Sequence, residues 1–264
     1  MLRKFSNTRS VFFGRAGLIF FMAFLCSSYS GKQTVLIHSH NDYQKNIPFY
    51  RAYSQQVHTI EADIYAAPAS DGLLVAHDPH ELDSALSLDE MYLEPLIFLF
   101  GQNEGRPWRG SEQVLTLMID LKTPLHPTID RLIAKLKRHP EVFDPSVNPY
   151  AVRIVISGSR PDPEAFGEYP RFISFDGFID VDYTPQQLER VAFISEPFFR
   201  YSKWKGGADT LSAEDRQVIE SLVAKSHKTG KPIRFWGSPD TVNAWETFRE
   251  LGIDIINTDR PEAC

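Results

Sequence analysis

Short apolar runs alternate with amphipathic stretches along most of the chain. The runs are rich in Val, Ile and Phe and end at Pro, Gly, Asp or Ser, which is typical of short strands. The predicted strands are Val35–His40, Thr59–Ala66, Leu73–His77, Leu115–Lys122, Ala151–Gly158, Phe172–Asp176, Val191–Ser195, Ile233–Trp236 and Asp254–Asn257. The predicted helices are Pro48–Gln56, Thr128–Arg138, Ser212–Thr229 and Thr241–Leu251, and the predicted loops are Ala66–Asp71 and Phe98–Ser111.

The alternation of strands with helices predicts a parallel β/α architecture. The chain has 264 residues, and α/β barrels of about 200–250 residues commonly form one domain. The sequence after residue 30 contains no stretch that reads as a linker. We therefore expect one TIM-like (β/α)8 barrel domain over residues 31–264.

Residues 1–30 have the layout of a signal peptide. The apolar run Ala16–Cys26 is too short to span about 30 Å of hydrocarbon, and small residues follow it. The basic residues before this run are Arg3, Lys4, Arg9 and Arg15. We expect cleavage near Ser30 and a secreted or periplasmic protein without a stable membrane span. Lipoprotein anchoring at Cys26 is a minor alternative, because Leu25 is larger than the residue usual at that position.

The charge balance argues against two classes of partner. The whole chain has a net charge of −6, and the part after the basic leader is more acidic still. Nonspecific nucleic-acid binding needs a basic face, and attraction to anionic membranes needs a polybasic patch. The two cysteines are Cys26 and Cys264, so loss of the leader leaves no pair for an intrachain disulfide. The sequence does not indicate an oligomeric state.

Two carboxylates share one face of the predicted strand Thr59–Ala66. Side chains alternate with period 2 along a strand, so Glu61 and Asp63 point together, opposite the apolar residues between them. Burial of neighbouring carboxylates is costly unless a cation or a metal ion compensates their charge. A metal site and a pair of structural salt bridges both fit this strand alone.

Another carboxylate follows in the predicted strand Leu115–Lys122. Asp120 and Lys122 share a face there, so Asp120 could be a third metal ligand and Lys122 could bind a phosphate oxygen. A structural Asp120–Lys122 pair is the alternative. An all-oxygen ligand set favours Mg²⁺ or Ca²⁺ over zinc.

Histidines cluster in the first third of the chain. His38 and His40 end the first predicted strand on one face, and His77 ends the third. Because histidine titrates near neutral pH, two histidines can serve as the base and the acid of one reaction. Phosphodiester cleavage needs such a pair, with a metal ion to stabilise the negative charge on phosphorus. Either His38 or His40 could act beside His77.

The candidate residues share a position relative to the strands. Each falls late in a predicted strand or just after one, and barrel active sites lie at the carboxyl ends of the strands. The residues with this placement are His38, Glu61, Asp63, His77, Asp120 and Trp236. We therefore expect them to meet at one rim of the barrel.

Several short motifs follow one another in a fixed order along the chain. They are His38-Ser-His-Asn-Asp-Tyr43, Pro48, Glu61-Ala-Asp63, Asp71-Gly72, His77-Asp78, Tyr92–Leu96, Asp120-Leu-Lys122 and Gly252–Pro261. The ordered set resembles the PLC-like phosphodiesterase superfamily, which contains glycerophosphodiester phosphodiesterases and phosphatidylinositol-specific phospholipases C. Within it, the chain is most similar to the branch named for altered inheritance of mitochondria, and the resemblance covers almost all of residues 35–261.

The resemblance implies a phosphoric diester hydrolase acting on a glycerophosphodiester- or phospholipid-type substrate. It implies His38 and His77 as catalytic histidines, with His40 as a further candidate. It also implies a metal held by Glu61, Asp63 and Asp120, and a substrate site with Lys122, Trp236 and Asn41. The chain departs from glycerophosphodiesterases where they have His-Arg-Gly after the first strand and where they have Glu in place of Asp120.

Two alternative functions fit parts of the sequence. A zinc hydrolase could use His38 and His40 as ligands, with Asp259 as a later ligand. A non-catalytic secreted barrel could bind phosphorylated ligands without turnover. No later strand carries a suitable histidine for zinc. The presence of His38, His77 and all three carboxylates argues against the non-catalytic barrel, so the sequence favours the metal-dependent phosphodiesterase.

Overall fold

The strands of the described chain follow the predicted order. The structure, a computed structural model, describes Met1 and residues 35–264, so the predicted leader and its cleavage site at Ser30 lie outside the described residues. The strands are β1 (Leu36–Ser39), β2 (Thr59–Ala66), β3 (Leu73–Val75), β4 (Thr116–Leu121), β5 (Arg153–Gly158), β6 (Ile173–Gly177), β7 (Val191–Pro197), β8 (Ile233–Trp236) and β9 (Ile255–Thr258).

The strands close into a parallel barrel. The hydrogen-bonded order is β1-β9-β8-β7-β6-β5-β4-β2-β3, and β1 also pairs with β2. All of these strands except β3 pair in parallel with their neighbours, and together they form a closed circle. β3 is antiparallel to β2 and lies outside the circle. The predicted TIM-like barrel is confirmed.

Helices connect most of the strands. They are α1 (Tyr50–Ser54), α2 (Glu94–Gln102), α3 (Leu125–Leu136), α4 (Pro140–Phe143), α5 (Pro185–Leu188), α6 (Ala213–Lys228) and α7 (Val242–Glu250). None of the helices within residues 35–264 is long and apolar enough to cross a membrane.

The predicted loop Phe98–Ser111 is wrong over its first part, because α2 continues to Gln102. Pro95 stands in the first turn, where a missing N–H costs nothing. Leu96 and Phe100, four residues apart, are both buried in the core. Packing of this face, rather than an N-cap signal in the sequence, therefore stabilises the helix.

Strand alternation places apolar side chains on the outer face of the barrel, whereas the inner face carries a smaller apolar cluster and, near the carboxyl ends of the strands, polar side chains. Ile60, Ala62 and Ile64 of β2 are fully buried in the main hydrophobic cluster. A smaller, separate cluster contains Met118, Val155, Phe193 and Ile255. The register of the ladder aligns Asp63 of β2 with Asp120 of β4, and Asp120 with Ser157 of β5. Polar side chains near the strand ends are therefore brought side by side.

A buried aspartate organises the loop after β1. Asp42 is 0% exposed; its Oδ2 accepts hydrogen bonds from the Phe49 N–H (2.6 Å) and the Tyr92 hydroxyl (3.0 Å). Its Oδ1 accepts one from the Ser39 hydroxyl at 3.1 Å. Asn41 adopts the left-handed conformation (φ 44°), which asparagine tolerates better than most residues. Asp42 thus joins the β1 loop to the start of α1 and to the segment before α2.

We expect Asp42→Ala to lower the free energy of unfolding by about 2–5 kcal/mol, because three buried donors, the Phe49 N–H and the Tyr92 and Ser39 hydroxyls, lose their acceptor. Ser39→Ala, which removes one donor and leaves Asp42 bonded to the other two, should cost no more than about 1 kcal/mol. Urea unfolding of both variants measures the difference. Equal losses in the two variants would show that Asp42 does not join these segments.

Candidate active site

A cavity of about 370 Å³ opens at the carboxyl ends of the barrel strands. Barrels of this class carry their active sites at that end. The residues in its wall include His40, Asn41, Glu61, Asp63, His77, Asp120, Lys122, Arg160, Asp176, Arg234 and Trp236. Every predicted site residue except His38 therefore lines one cavity.

Three carboxylates form a compact cluster in this cavity. One ligand oxygen from each of Glu61, Asp63 and Asp120 lies within 4.8 Å of the others. The Oδ1 atoms of Asp63 and Asp120 are buried and have no hydrogen-bond partner among the described residues. Buried polar atoms are normally paired, so two unpaired carboxylate oxygens in one cluster fit a hard cation. The acidic cluster could therefore hold a metal ion.

Lys122 lies between two of these carboxylates. Its Nζ is 3.0 Å from Asp63 Oδ2 and 3.0 Å from Asp120 Oδ2. Burial alone would lower the pKa of Lys122, but Asp120 and Asp63 raise it above its ordinary value. Burial raises the pKa of Asp120, and Lys122 opposes that shift. Lys122 is thus a fixed positive charge beside the cluster.

Gly158 leaves the space that the Asp120 carboxylate occupies. A Cβ at position 158 would lie 1.9 Å from Asp120 Oδ1 and 2.6 Å from the carbonyl oxygen of Leu121. The residue also has a φ of +70°, which side-chain-bearing residues rarely adopt. Both the conformation and the space at the end of β5 therefore require glycine.

His38 lies behind the cavity wall. It is 0% exposed, and its Nε2 is 2.7 Å from Glu61 Oε2 and 2.6 Å from Arg234 Nη1. Burial, with help from Arg234, lowers the pKa of His38 to about 4, against the opposing effect of Glu61. The ring is therefore neutral at physiological pH and enclosed by protein groups. The structure does not place His38, predicted as catalytic, where a substrate could reach it.

Arg234 is the centre of a buried polar network. Its Nε donates to the Ser195 hydroxyl (2.8 Å) and its Nη1 to Asn257 Oδ1 (3.2 Å), and the same Nη1 lies 3.7 Å from Glu61 Oε2. Burial would raise the pKa of Glu61, but Arg234 and His38 hold it below its ordinary value. Glu61 therefore stays ionised in the barrel interior.

His40 lines the cavity and is held by a carboxylate. Its side chain is 30% exposed, and its Nδ1 lies 3.1 Å from Asp259 Oδ1. Lys45 Nζ lies 2.8 Å from the same oxygen. The hydrogen bond from His40, together with Lys45, lowers the pKa of Asp259. A histidine with Nδ1 bonded to a carboxylate keeps Nε2 available for another partner.

His77 has a similar arrangement. Its side chain is 44% exposed and its Nδ1 lies 3.2 Å from Asp63 Oδ2. The backbone N–H of His77 donates to Glu81 Oε2 at 2.8 Å, which anchors the turn after β3. The hydroxyl of Tyr43 lies 3.0 Å from the same Nδ1. Two partly exposed histidines, each oriented through Nδ1, thus line the cavity with the carboxylate cluster.

The two predicted substrate-binding residues that remain are also in the wall. Asn41 reaches it from the left-handed turn after β1. Trp236 ends β8, is 38% exposed, and its ring meets that of Phe199 edge-to-face at 5.2 Å. Together they give the cavity one polar and one aromatic boundary.

Sequence reasoning missed Arg160, Arg234 and Tyr43. Arg160 follows β5, forms an ion pair with Asp176 and lies 3.8 Å above the ring of Phe178. Arg234 could have been found, because a charged residue between Ile and Phe in a buried strand needs a partner inside the barrel. Arg160 and Tyr43 carry no such signal, because Arg160 lies in the loop after β5 and Tyr43 lies in a short 3-10 turn, both outside the strands.

We expect Gly158→Ala to weaken binding of Mg²⁺ or Ca²⁺ at least about tenfold, because the new methyl group displaces Asp120 from the cluster. The matched control is Gly110→Ala, which has a similar φ of +72° but nothing within 4 Å of the added carbon. Titration calorimetry on the full chain gives the affinities. If both variants bind the cation as the unmodified protein does, Asp120 is not a ligand.

Solved structures share this fold. A glycerophosphodiester phosphodiesterase from Parabacteroides distasonis superimposes with a TM-score of 0.53 at 16% identity, covering 88% of this chain and 96% of that protein. A putative glycerophosphoryl diester phosphodiesterase from Silicibacter pomeroyi gives a TM-score of 0.53 at 14% identity, with 87% and 91% covered. At these identities the comparison establishes the barrel fold alone.

Related sequences overturn the expected location. One relative, from Kluyveromyces lactis, is 34% identical to this chain, and the alignment covers 84% of this chain and 70% of the relative. Another, from Eremothecium gossypii, is 25% identical, and the alignment covers 86% of this chain and 68% of the relative. Both are named altered inheritance of mitochondria protein 6. The prediction of a secreted or periplasmic protein, with or without a lipid at Cys26, was wrong, because this name does not point to secretion or a periplasmic location.

A family model agrees with these relatives. The model described as the AIM6-like phosphodiesterase domain matches residues 29–143. That segment contains the β1 loop, two of the clustered carboxylates on β2, the third on β4, and His77. The chain therefore belongs to the family of altered inheritance of mitochondria protein 6, which has a phosphodiesterase-like barrel domain.

Proposed function

We propose that this barrel domain is a metal-dependent phosphoric diester hydrolase. The observation that carries the proposal is the cavity in which three clustered carboxylates lie beside two histidines, each bonded to a carboxylate through Nδ1. Phosphodiester cleavage needs a base for the attacking hydroxyl and an acid for the leaving alkoxide. It also needs positive charge near the phosphoryl oxygens.

His40 and His77 are the acid–base pair in this proposal. Both line the cavity, and both have Nδ1 occupied by a protein oxygen. The Nε2 atom of one removes the proton from the nucleophile, and the Nε2 atom of the other protonates the leaving oxygen. His38, enclosed between Glu61 and Arg234, instead holds the orientation of the Glu61 carboxylate.

Glu61, Asp63 and Asp120 would hold the metal ion. The unpaired, buried Oδ1 atoms of Asp63 and Asp120 fit an oxygen-binding cation, which is the reason for proposing Mg²⁺ or Ca²⁺. Such an ion would supply charge stabilisation to the phosphoryl group as negative charge builds up on it. Lys122, fixed by Asp63 and Asp120, adds a positive charge at the same place.

The remaining wall is suited to a small phosphodiester. Arg160 presents a guanidinium, a group that matches phosphate geometry, and it is held by Asp176 and Phe178. Asn41 can hydrogen-bond a hydroxyl of the substituent, and Trp236 can pack against its carbon atoms. These features support a glycerophosphodiester- or phospholipid-type substrate.

A zinc hydrolase using His38 and His40 has less support. His38 already contacts Glu61 and Arg234, and the guanidinium lies where a cation would have to approach. His40 Nδ1 is bonded to Asp259 rather than directed at His38. The described geometry therefore favours the carboxylate cluster as the metal site.

We expect the full chain to hydrolyse bis-(p-nitrophenyl) phosphate, to lose activity in EDTA, and to regain it with Mg²⁺ or Ca²⁺. His40→Gln and His77→Gln should each lower kcat at least about a hundredfold, because each removes one proton-transfer group. Initial rates of p-nitrophenol release give these values.

His139→Gln is the matched control, since His139 lies between α3 and α4 and is not in the cavity wall. It should retain full activity. Restoration by zinc alone would favour the zinc hydrolase. An absence of turnover with every metal, accompanied by binding of phosphorylated ligands, would favour a non-catalytic barrel.

A further inference from the structure

We propose that Tyr43 is a positioning residue that fixes the tautomer of His77. The hydroxyl of Tyr43 lies 2.7 Å from Asp63 Oδ2 and 3.0 Å from His77 Nδ1. The same His77 nitrogen is 3.2 Å from Asp63 Oδ2. One phenol, one carboxylate and one imidazole nitrogen therefore form a closed triangle at the edge of the cavity.

The number of available protons and the strength of the acceptors together favour one arrangement of hydrogen bonds in this triangle. Asp63 can only accept, and the phenol has one proton to donate. That proton goes to the carboxylate, since a charged acceptor is stronger than a neutral imidazole nitrogen. The remaining lone pairs of the phenol and of Asp63 then both face His77 Nδ1, so this nitrogen must carry a proton. Neutral His77 is consequently the Nδ1–H tautomer, with its lone pair on Nε2.

Asp63 alone would restrain the orientation of the His77 ring less than Asp63 and Tyr43 do together. Its Oδ2 also lies 3.0 Å from Lys122 Nζ, so it is shared among several donors. Tyr43 adds a second acceptor for the Nδ1 proton, closer to the nitrogen than the carboxylate is. Rotation of the ring by half a turn would place a carbon atom against both oxygens and lose both contacts. The phenol therefore makes the alternative ring orientation unfavourable.

The fold holds Tyr43 in this position. It follows the left-handed Asn41 and the buried Asp42, whose hydrogen bonds to Phe49 and Tyr92 fix the path of the loop. Tyr43 itself packs against the main hydrophobic core. Burial, with the charge of Asp63, raises the pKa of Tyr43 well above its ordinary value, so the hydroxyl remains a donor.

The consequence for catalysis rests on the proposed function. If His77 exchanges a proton with the substrate, the nitrogen that does so is Nε2, because Nδ1 is occupied on the protein side. Without the phenol, the neutral ring distributes between the two tautomers and between two orientations. Loss of the Tyr43 hydroxyl would then lower turnover without removing any group that touches the substrate.

The direct test is to determine the tautomer of His77 by NMR of isotope-labelled histidine. Protonated and unprotonated ring nitrogens give distinct signals. Spectra of the metal-free full chain are recorded at increasing pH until the ring signals stop changing, so that the neutral form is observed. His77→Gln identifies the His77 signals. We expect a protonated Nδ1 in the unmodified protein, and a mixture or a protonated Nε2 in Tyr43→Phe.

Tyr65→Phe is the matched control. The Tyr65 hydroxyl donates to the backbone carbonyl of His77 at 2.9 Å and does not contact the ring, so this variant should keep the Nδ1–H tautomer. A protonated Nε2 in the unmodified protein, or the same tautomer in both phenylalanine variants, would overturn the proposal. Neither result depends on whether a phosphodiester is hydrolysed.

Kinetics provide the second measurement. With bis-(p-nitrophenyl) phosphate, Tyr43→Phe should lower kcat about tenfold to a hundredfold, the usual effect of losing a group that orients a functional histidine. Tyr65→Phe should keep the unmodified kcat. A changed tautomer in Tyr43→Phe with an unchanged kcat would contradict the role of His77 in the proposed function and leave the positioning by Tyr43 intact.

Discussion

The barrel encloses three carboxylates within a few ångströms of one another, and the rest of the site is arranged to compensate their charge. Burial of one carboxylate is costly, and burial of three raises the cost further because like charges repel. Arg234 compensates Glu61, and Lys122 compensates Asp63 and Asp120. Since two carboxylate oxygens still lack a partner among the described residues, this compensation is incomplete. A divalent cation would complete it.

The end of β1 places its two neighbouring histidines, His38 and His40, in different surroundings. His38 and His40 are two residues apart, so strand alternation alone directs them to the same side. However, β1 ends at Ser39, and His40 already belongs to the loop. His38 is therefore enclosed with Glu61 and Arg234 in the barrel interior, whereas His40 reaches the cavity and Asp259. His38 therefore lies deeper in the barrel than His40, and its ring is buried while that of His40 is accessible. The alternation of side chains along a strand does not report this difference in depth.

Sequence reasoning predicted features that depend on local order. It gave the bounds of β2 and β8, because an apolar run bounded by polar residues is a local signal. It also placed the three carboxylates together, since parallel strands bring their carboxyl ends to one rim. It did not give the antiparallel pairing of β3, nor that α2 includes Phe98–Gln102. The first is a hairpin with the neighbouring strand β2, whose direction the apolar pattern does not report, and the second depends on burial of Leu96 and Phe100 in the core.

Two of the missed site residues, Arg160 and Tyr43, depend on partners from other parts of the chain. Arg160 is held in the cavity wall by Asp176 and Phe178, which follow in the next strand and loop. Tyr43 contacts Asp63 and His77, which are 20 and 34 residues away in the sequence. No spacing rule connects such partners before the barrel closes. The motif around Tyr43 could be recognised as a family resemblance, but the contacts of its individual residues needed the structure.

The central claim is that Glu61, Asp63 and Asp120, rather than His38 and His40, bind the metal ion. Crystals of the full chain grown with Mn²⁺ allow a direct test, because anomalous scattering locates manganese independently of the protein atoms. We expect one strong peak in contact with Glu61, Asp63 and Asp120, with the unpaired Oδ1 atoms of Asp63 and Asp120 facing it. A peak bound to His38 and His40, or no peak at the cluster, would contradict the account.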